Sequence, residues 1–235
     1  MKRMMITGIL AAAVLMLSGC LYPEERKAEN QVPYKEQLQS VQTAVNKFRE
    51  DNDGILPIKT RDEQTPIYIK YPIDFNRLKP QYIADPPGNA FESGGIFQYV
   101  LVDVENNPTV KIFDLRMAEK IRSLNIRLQT SKYPPFKDNV ADHVFSLDYS
   151  KLGYKKEPYV VSPFSQRNLS LVISGKGELY VDYSPDLYEK LKSKKHSYKP
   201  GEDIREILLE DSDFVPAYSL PYTVNEKNEP VFMAK

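Results

Sequence analysis

The sequence contains no tryptophan, one cysteine and two histidines among its 235 residues. A single cysteine excludes a disulfide within the chain. His143 and His196 stand far apart and have no neighbouring cysteine, whereas a zinc site needs three or four ligands at characteristic spacings. We therefore expect neither a metal site nor a cofactor.

Sequence motifs for a catalytic nucleophile are also missing. There is no Gly-x-Ser-x-Gly passage, and neither Ser162 nor Ser165 has an adjacent histidine that would act as its base. The pair Gly175 and Gly177 is too short for a phosphate-binding loop and is typical of a turn. We therefore expect a protein that is not an enzyme.

Neither sign of charge predominates, because Lys plus Arg and Asp plus Glu both number 32. A near-neutral chain lacks the basic footprint of nucleic-acid-binding proteins, so we expect no nucleic-acid partner. Hydrophobic residues make up 41% of the chain, which is enough for a core. The sixteen tyrosines either form a surface that binds peptides or glycans, or pack at half-buried strand positions.

The first twenty residues have the pattern of an export signal. Lys2 and Arg3 precede residues 4–17, which are uncharged and almost wholly apolar. A basic start, a short apolar run and small residues at its end are typical of a signal peptide. The run is shorter than the roughly 20 residues that a membrane-spanning helix needs, so a permanent anchor helix is the weaker interpretation.

The run ends in Leu17-Ser18-Gly19-Cys20, which resembles the bacterial lipobox. The resemblance implies cleavage between Gly19 and Cys20 and a diacylglyceryl group on the Cys20 sulfur. Two acyl chains hold a protein stably on a membrane. We therefore expect residues 1–19 to be a signal peptide and the mature protein to be lipid-anchored at the outer face of the cell membrane. The alternative is a buried apolar helix with a chance cysteine.

Residues 20–32 are predicted to be the lipidated cysteine and a polar tether, because Glu24-Glu25-Arg26-Lys27 cannot contribute to a core. Residues 33–130 are predicted to be a helix-plus-sheet domain. Its helix is indicated by an apolar stripe at helical spacing, made of Tyr34, Leu38, Val41, Val45 and Phe48. Residues 97–104 and 109–113 are expected to be paired strands, residues 67–69 a brief strand, and Asp114 the cap of a second helix.

Residues 131–235 are predicted to be a second α+β subdomain, with a polar, proline-bearing boundary at residues 129–140. Alternating residues on both sides of Ser174-Gly175-Lys176-Gly177 indicate a hairpin. Ser184-Pro185 is typical of a helix start. The expected fold class is therefore α+β, with small antiparallel sheets and helices in both parts.

Part of the first domain resembles a known kind of fold. The resemblance rests on Phe48-x-x-Asp51-x-x-Gly54-x-x-Pro57, on Leu78-x-Pro80-x-Tyr82-Ile83 and on the Gly94-Gly95 pair. On these, residues 34–104 resemble the globular heads of type II pseudopilins and type IV pilins. This implies an amphipathic helix on a small antiparallel sheet. It does not imply fibre assembly, since pilins keep their apolar N-terminal segment and this chain is expected to lose it.

Signal, tether and head together resemble an uncharacterised group of Gram-positive cell-surface lipoproteins, sometimes labelled periplasmic-binding components of ABC transporters. The leading functional hypothesis is a non-enzymatic binding or scaffold module of the cell envelope. Its partners are expected to be the membrane, through the anchor, and an envelope protein or wall polymer. The alternatives are a substrate-binding lipoprotein of an ABC transporter and an envelope hydrolase that uses carboxylates.

Two charged clusters in the second half are candidate sites. Basic residues in the first could contact anionic wall polymers or lipid headgroups, or form a solvated face near a helix C-terminus; they are Lys190, Lys192, Lys194, Lys195 and Lys199. Acidic residues in the second could serve as an acid/base pair or hold Ca²⁺, or belong to a polar turn after a helix; they are Glu210, Asp211 and Asp213.

Overall fold

The computed structural model describes residues 35–59, 61–193 and 195–233. The predicted signal peptide, its cleavage site, the lipidated Cys20 and the tether lie outside the described residues, as does Lys194. Within the described ranges, no helix combines the length and the apolar character that crossing a membrane requires.

Helix α1 (Lys35–Asp51) is the amphipathic helix that the sequence predicts. Its inward face buries residues spaced three and four apart, namely Leu38, Val41, Ala44, Val45 and Phe48. The helix packs on strand β2 (Thr109–Asp114), which pairs antiparallel with β1 (Phe97–Val102). Gln42 fixes this contact, because its Nε2 donates to the Pro108 carbonyl at 3.0 Å and its Oε1 accepts from the Val110 N–H at 2.7 Å.

The β1–β2 pair gains backbone partners on both outer edges. Pro72 forms an antiparallel bridge with Val100 of β1, and Ile112 of β2 forms a parallel bridge with Phe214. On the β2 side, the Ile112 N–H donates to the Asp213 carbonyl at 2.9 Å, and the Val215 N–H donates to the Ile112 carbonyl at 3.0 Å. The second half of the chain therefore completes the sheet of the first half.

The second half contains a four-stranded antiparallel sheet in the order β3-β4-β7-β8 and two smaller antiparallel pairs, β5-β6 and β9-β10. The strands are β3 (Phe136–Ala141), β4 (Val144–Leu147), β5 (Val160–Val161), β6 (Asn168–Leu169), β7 (Leu171–Ser174), β8 (Leu179–Val181), β9 (Tyr222–Val224) and β10 (Pro230–Phe232). The predicted hairpin is β7–β8, with Leu179 and Val181 buried. β3 overlaps the end of the predicted boundary segment, residues 129–140.

The described residues form three further α-helices: α2 (Phe75–Leu78), α3 (Leu115–Gln129) and α4 (Ser184–Ser193). Asp114 caps α3 as predicted, since its carboxylate accepts from the Arg116 N–H at 2.8 Å. The fold therefore mixes helices with small antiparallel sheets, which confirms the predicted α+β class.

Residues 67–69 were expected to be a strand, and this expectation is wrong. Ile67–Ile69 is a turn of 3₁₀ helix that follows Pro66, and the Ile69 N–H donates to the Pro66 carbonyl at 3.0 Å. Tyr68 and Ile69 are both buried, whereas Ile67 is exposed. A short apolar run carries no periodicity that separates a strand from a buried helical turn. The extended segment comes a few residues later, at the Pro72 bridge.

Buried apolar side chains form two clusters. One surrounds α1, α2 and the β1–β2 pair. The other joins the second-half sheet to the inward face of α3, where Met117, Ile121 and Leu124 are buried. Tyr68 and Phe113 belong to this second cluster although they precede α3 in the chain. The first half therefore contributes to both clusters.

Candidate binding cleft

A cleft of about 610 Å³ lies where the two halves of the chain meet. Three segments line it: the turn at residues 67–71, the hairpin end at residues 101–111, and residues 198–210 of the second half. The first two segments are held together by the Leu101 N–H, which donates to the Tyr71 carbonyl at 2.9 Å. The cleft therefore exists only in the complete fold.

The floor of the cleft is apolar and aromatic. Tyr68 and Leu101 are buried, and Tyr71, Tyr198 and Leu209 are partly buried. Burial raises the pKa of the Tyr68 phenol above its usual value. Ile67 stands at the cleft with 57% of its surface exposed. A floor of this kind favours the apolar part of a ligand.

Lys111 joins the hairpin end that forms one wall of the cleft to the second-half segment that forms the other. Its Nζ donates to the Leu209 carbonyl at 3.0 Å and to the Ser212 carbonyl. Burial lowers the pKa of the Lys111 ammonium, and the nearby Asp213 carboxylate opposes that shift. Because its donors serve two backbone carbonyls, we assign Lys111 to holding the cleft rather than to binding a ligand.

Arg205 packs against Tyr68 of the cleft floor and does not itself line the cleft. Its guanidinium donates from Nε to the Asp203 carboxylate at 2.9 Å and from Nη1 to the Ser219 carbonyl at 3.0 Å. It also lies 5.0 Å from the centre of the Tyr68 ring. Only 6% of Arg205 is exposed, so its charge is already compensated within the fold.

The rim of the cleft is acidic. Four exposed carboxylates line it, namely Asp103, Glu105, Glu206 and Glu210. Burial raises the pKa of the Tyr198 phenol, and Glu210 and Glu206 raise it further. Glu206 and Glu210 therefore lie close enough to Tyr198 to disfavour a negative charge on its phenol.

Through its carboxylate, Asp103 forms hydrogen bonds within the turn between β1 and β2. Its backbone is left-handed, with φ of 48°. Its carboxylate accepts from the Asn106 side-chain amide at 2.9 Å and from the Asn107 N–H at 3.2 Å. Asp103 therefore closes the β1–β2 turn, and its carboxylate shapes the hairpin end that forms one wall.

The structure distributes the predicted lysine cluster over α4 and the segment after it. Lys190 is partly buried and its Nζ lies 3.7 Å from the Asp211 carboxylate. Lys192 lies 4.3 Å from the centre of the Tyr188 ring. Lys195 and Lys199 are exposed. Contact of these lysines with an anionic surface stays a prediction.

The three predicted acidic residues have separate surroundings. Glu210 lines the cleft, Asp211 contacts Lys190, and the Asp213 backbone pairs with β2. In the part of the chain that the structure describes, no group of three or more His, Cys, Asp or Glu side chains is placed to hold a metal ion.

The serine and histidine side chains considered from the sequence also have local partners. The Ser162 hydroxyl donates to Asp186 at 2.8 Å and accepts from the Phe164 N–H at 3.0 Å. The Ser162 contacts join the turn at residues 162–165 to the first turn of α4.

The two histidines have partners elsewhere. His143 lies 3.6 Å from the neighbouring Asp142 carboxylate. His196 contacts the Asn228 amide at 3.0 Å.

The cleft itself was not predicted from the sequence. Tyr68, Tyr71 and Glu105 are separated from Tyr198 and Glu206 by roughly a hundred residues, and no local pattern links them. The excess of tyrosine was the signal that pointed towards a binding surface, but it does not identify which tyrosines share a site.

A protein-family model described as the YphF family N-terminal domain matches residues 34–114. The match covers less than half of the chain, so the chain is similar to that domain over this range. No curated protein matches the sequence. No solved structure matches either, so the resemblance to pilin heads stays a prediction. Two of the three segments that line the cleft lie inside the matched range, and the third, at residues 198–210, lies outside it.

Proposed function

We propose that the protein is an extracytoplasmic lipoprotein, anchored through Cys20, that acts as a non-enzymatic binding module of the cell envelope. Its ligand site is the cleft between the two halves. The observation that carries the proposal is the composition of this cleft: an apolar, tyrosine-containing floor beneath a rim of carboxylates. Large concave sites with apolar floors and a few polar groups are the usual form of ligand pockets.

The way the cleft is held favours a binding module over a transporter component. Substrate-binding proteins of transporters close two lobes about a hinge. Here the Lys111 contacts cross the cleft, and backbone hydrogen bonds join Ile112 to Asp213 and Val215. These bonds would have to break for the lobes to rotate. A fixed cleft suits a module that presents one surface to its partner.

The carboxylates also favour binding over hydrolysis. The general acid of a glycosidase is commonly a buried carboxyl group. Glu105 and Glu206 are instead exposed on the rim of the cleft. We therefore assign them to recognition of a ligand.

Site-specific crosslinking tests whether partners occupy the cleft. A photoreactive amino acid is placed at Ile67, beside the cleft, or at Ile126 on α3, and the cells are irradiated. The two positions are matched, because Ile67 is 57% exposed and Ile126 is 55% exposed. We expect a discrete adduct in the membrane fraction from position 67 and none from position 126. Equal adducts from both positions, or none from position 67, would contradict the proposal.

A further inference from the structure

The acidic and basic side chains around the cleft differ in whether they have partners within the fold. In the described chain, Glu105 and Glu206 form no ion pair with a basic side chain, although both line the cleft. The nearby basic groups already have partners. Lys111 donates to two carbonyls, Arg205 is paired with Asp203, and Lys70 donates to the Glu63 carbonyl at 3.1 Å. Four carboxylates and a single ammonium group, that of Lys111, line the cleft, so the charge that a ligand meets there is negative.

The floor adds a second requirement. Val102 and Leu209 are partly buried and Ile67 is exposed, so these three side chains offer apolar surface to a ligand. A small inorganic cation would neutralise the rim carboxylates but would leave this apolar surface exposed to water. A ligand that satisfies both must have an apolar stem and a positive head.

We propose that the cleft binds an extended peptide segment that carries lysine or arginine side chains. This inference rests on the proposed function, because it takes the cleft as the ligand site. Lysine and arginine bury their methylene stems along apolar surface while keeping the charged head in a polar setting. The stems lie on the floor formed by Val102 and Leu209, and the heads reach Glu105 and Glu206 on the rim.

The contribution of each rim carboxylate should be modest and dependent on salt. Exposed ion pairs are screened by solvent and by mobile ions. Replacing Glu105 or Glu206 with glutamine should therefore weaken binding by about two- to fivefold each at low ionic strength. Affinity should fall as salt is added, because the heads remain near the surface.

The test uses the full chain in detergent micelles and fluorescent peptides of defined sequence. One peptide is Gly-Lys-Val-Lys-Gly with both ends blocked, and the other has glutamate in place of both lysines. Binding is measured by fluorescence anisotropy. The variants are Glu105→Gln, Glu206→Gln and Ile67→Trp, which fills the cleft without changing its charge. Glu50→Gln is the control, since Glu50 is exposed on α1 and does not line the cleft.

We expect the lysine peptide to bind and the glutamate peptide to bind at least tenfold more weakly. Ile67→Trp should abolish binding, both rim variants should weaken it, and Glu50→Gln should leave it unchanged. Equal binding of the two peptides, no binding of either, or binding insensitive to the rim variants would overturn the inference.

A neutral glycan serves as the competing ligand. Tri-N-acetylchitotriose is titrated against the same variants. If it binds the native chain and is blocked by Ile67→Trp but not by the rim variants, the ligand is a glycan and the peptide inference is wrong. That result would leave the cleft as the binding site. The crosslinking at position 67 tests the cleft separately, so failure of the proposed function and failure of the peptide inference can be told apart.

Discussion

At the scale of single residues, Tyr222 joins three elements through its hydroxyl group. The hydroxyl accepts from the Tyr183 N–H at 3.0 Å and donates to the Asp182 carboxylate at 2.9 Å. Asp182 also accepts from the Ser184 N–H at 2.9 Å, at the start of α4. Tyr222 and Tyr183 have no exposed surface. The hydroxyl therefore connects β9 to the end of β8 and to the first turn of α4.

Tyr222→Phe should lower the free energy of unfolding by about 1–3 kcal/mol, because it leaves the buried Tyr183 N–H without its acceptor. Urea unfolding followed by circular dichroism measures this change. Tyr188→Phe is the control, since Tyr188 is 40% exposed, and it should change stability by less than about 0.5 kcal/mol. Equal effects of the two substitutions would show that the buried hydroxyl contributes nothing specific.

The same tyrosines predict loss of stability in alkali. Burial raises the pKa of both Tyr183 and Tyr222 well above its usual value. The unfolded chain therefore loses these protons near pH 10 while the folded chain keeps them. Stability is fully present below about pH 10 and falls as the pH rises, by about 1.4 kcal/mol per pH unit for each such tyrosine.

Tyr222→Phe provides the matched comparison for this pH dependence. Between about pH 9 and pH 11, the free energy of unfolding measured with urea should fall by about 1.4 kcal/mol less in the variant than in the native chain. Equal decreases would mean that Tyr222 ionises equally readily in the folded and unfolded chain.

At the scale of elements, the Gly94-Gly95 passage shows why one glycine is required. A Cβ added at Gly95 would lie 2.0 Å from the Asn89 carbonyl oxygen. The Asn89 backbone cannot easily move away, because its carbonyl accepts from the Phe97 N–H at 3.1 Å and its side chain accepts from the buried Tyr99 hydroxyl at 2.7 Å. The close approach therefore fixes the loop against the start of β1.

Gly95→Ala should destabilise the protein by about 3 kcal/mol, through a backbone clash that the loop cannot relieve. Gly175→Ala is the control, because the nearest atom to its added Cβ is the His143 Cβ at an ordinary 3.7 Å. Thermal unfolding of the two variants should show a large decrease in Tm for the first and a small change for the second. A Gly95→Ala variant as stable as the native chain would contradict this interpretation of the loop.

How well an element could be predicted depended on whether its burial is periodic. The stripe of α1 and the alternation of β8 were visible in the sequence because one face of each element is buried. β3 was not predicted, since its residues are almost all exposed and its pairing with β4 contains register shifts. Its sequence therefore lacks the alternation of a half-buried strand.

At the scale of the whole molecule, the two halves depend on each other. Phe214 lies against Phe97 with ring centres 5.7 Å apart, and Tyr218 lies against Phe113 at 6.1 Å. Together with the backbone bonds to Ile112, these contacts cover the outer edge of β2. Contacts between residues so distant in sequence leave no local pattern, which is why neither the pairing of Ile112 with Phe214 nor the cleft could be predicted.

A fragment of residues 33–130 should therefore not fold cooperatively, because it exposes the β2 edge and the apolar face of α3. A fragment of residues 33–235 is the control and should fold, since it keeps both hydrophobic clusters. Thermal unfolding followed by circular dichroism distinguishes them. A cooperative transition in the short fragment, at the Tm of the long one, would show that the first half is independent.

We propose that a lipid on Cys20 holds this cleft at the outer face of the membrane. Intact-mass spectrometry of the native protein, isolated from membrane and soluble fractions, tests this proposal most directly. We predict a membrane-bound chain that begins at Cys20 and carries a diacylglyceryl group, and an unlipidated, uncut precursor in Cys20→Ala. A native chain in the soluble fraction that keeps Met1 and has a free Cys20 thiol would contradict the account.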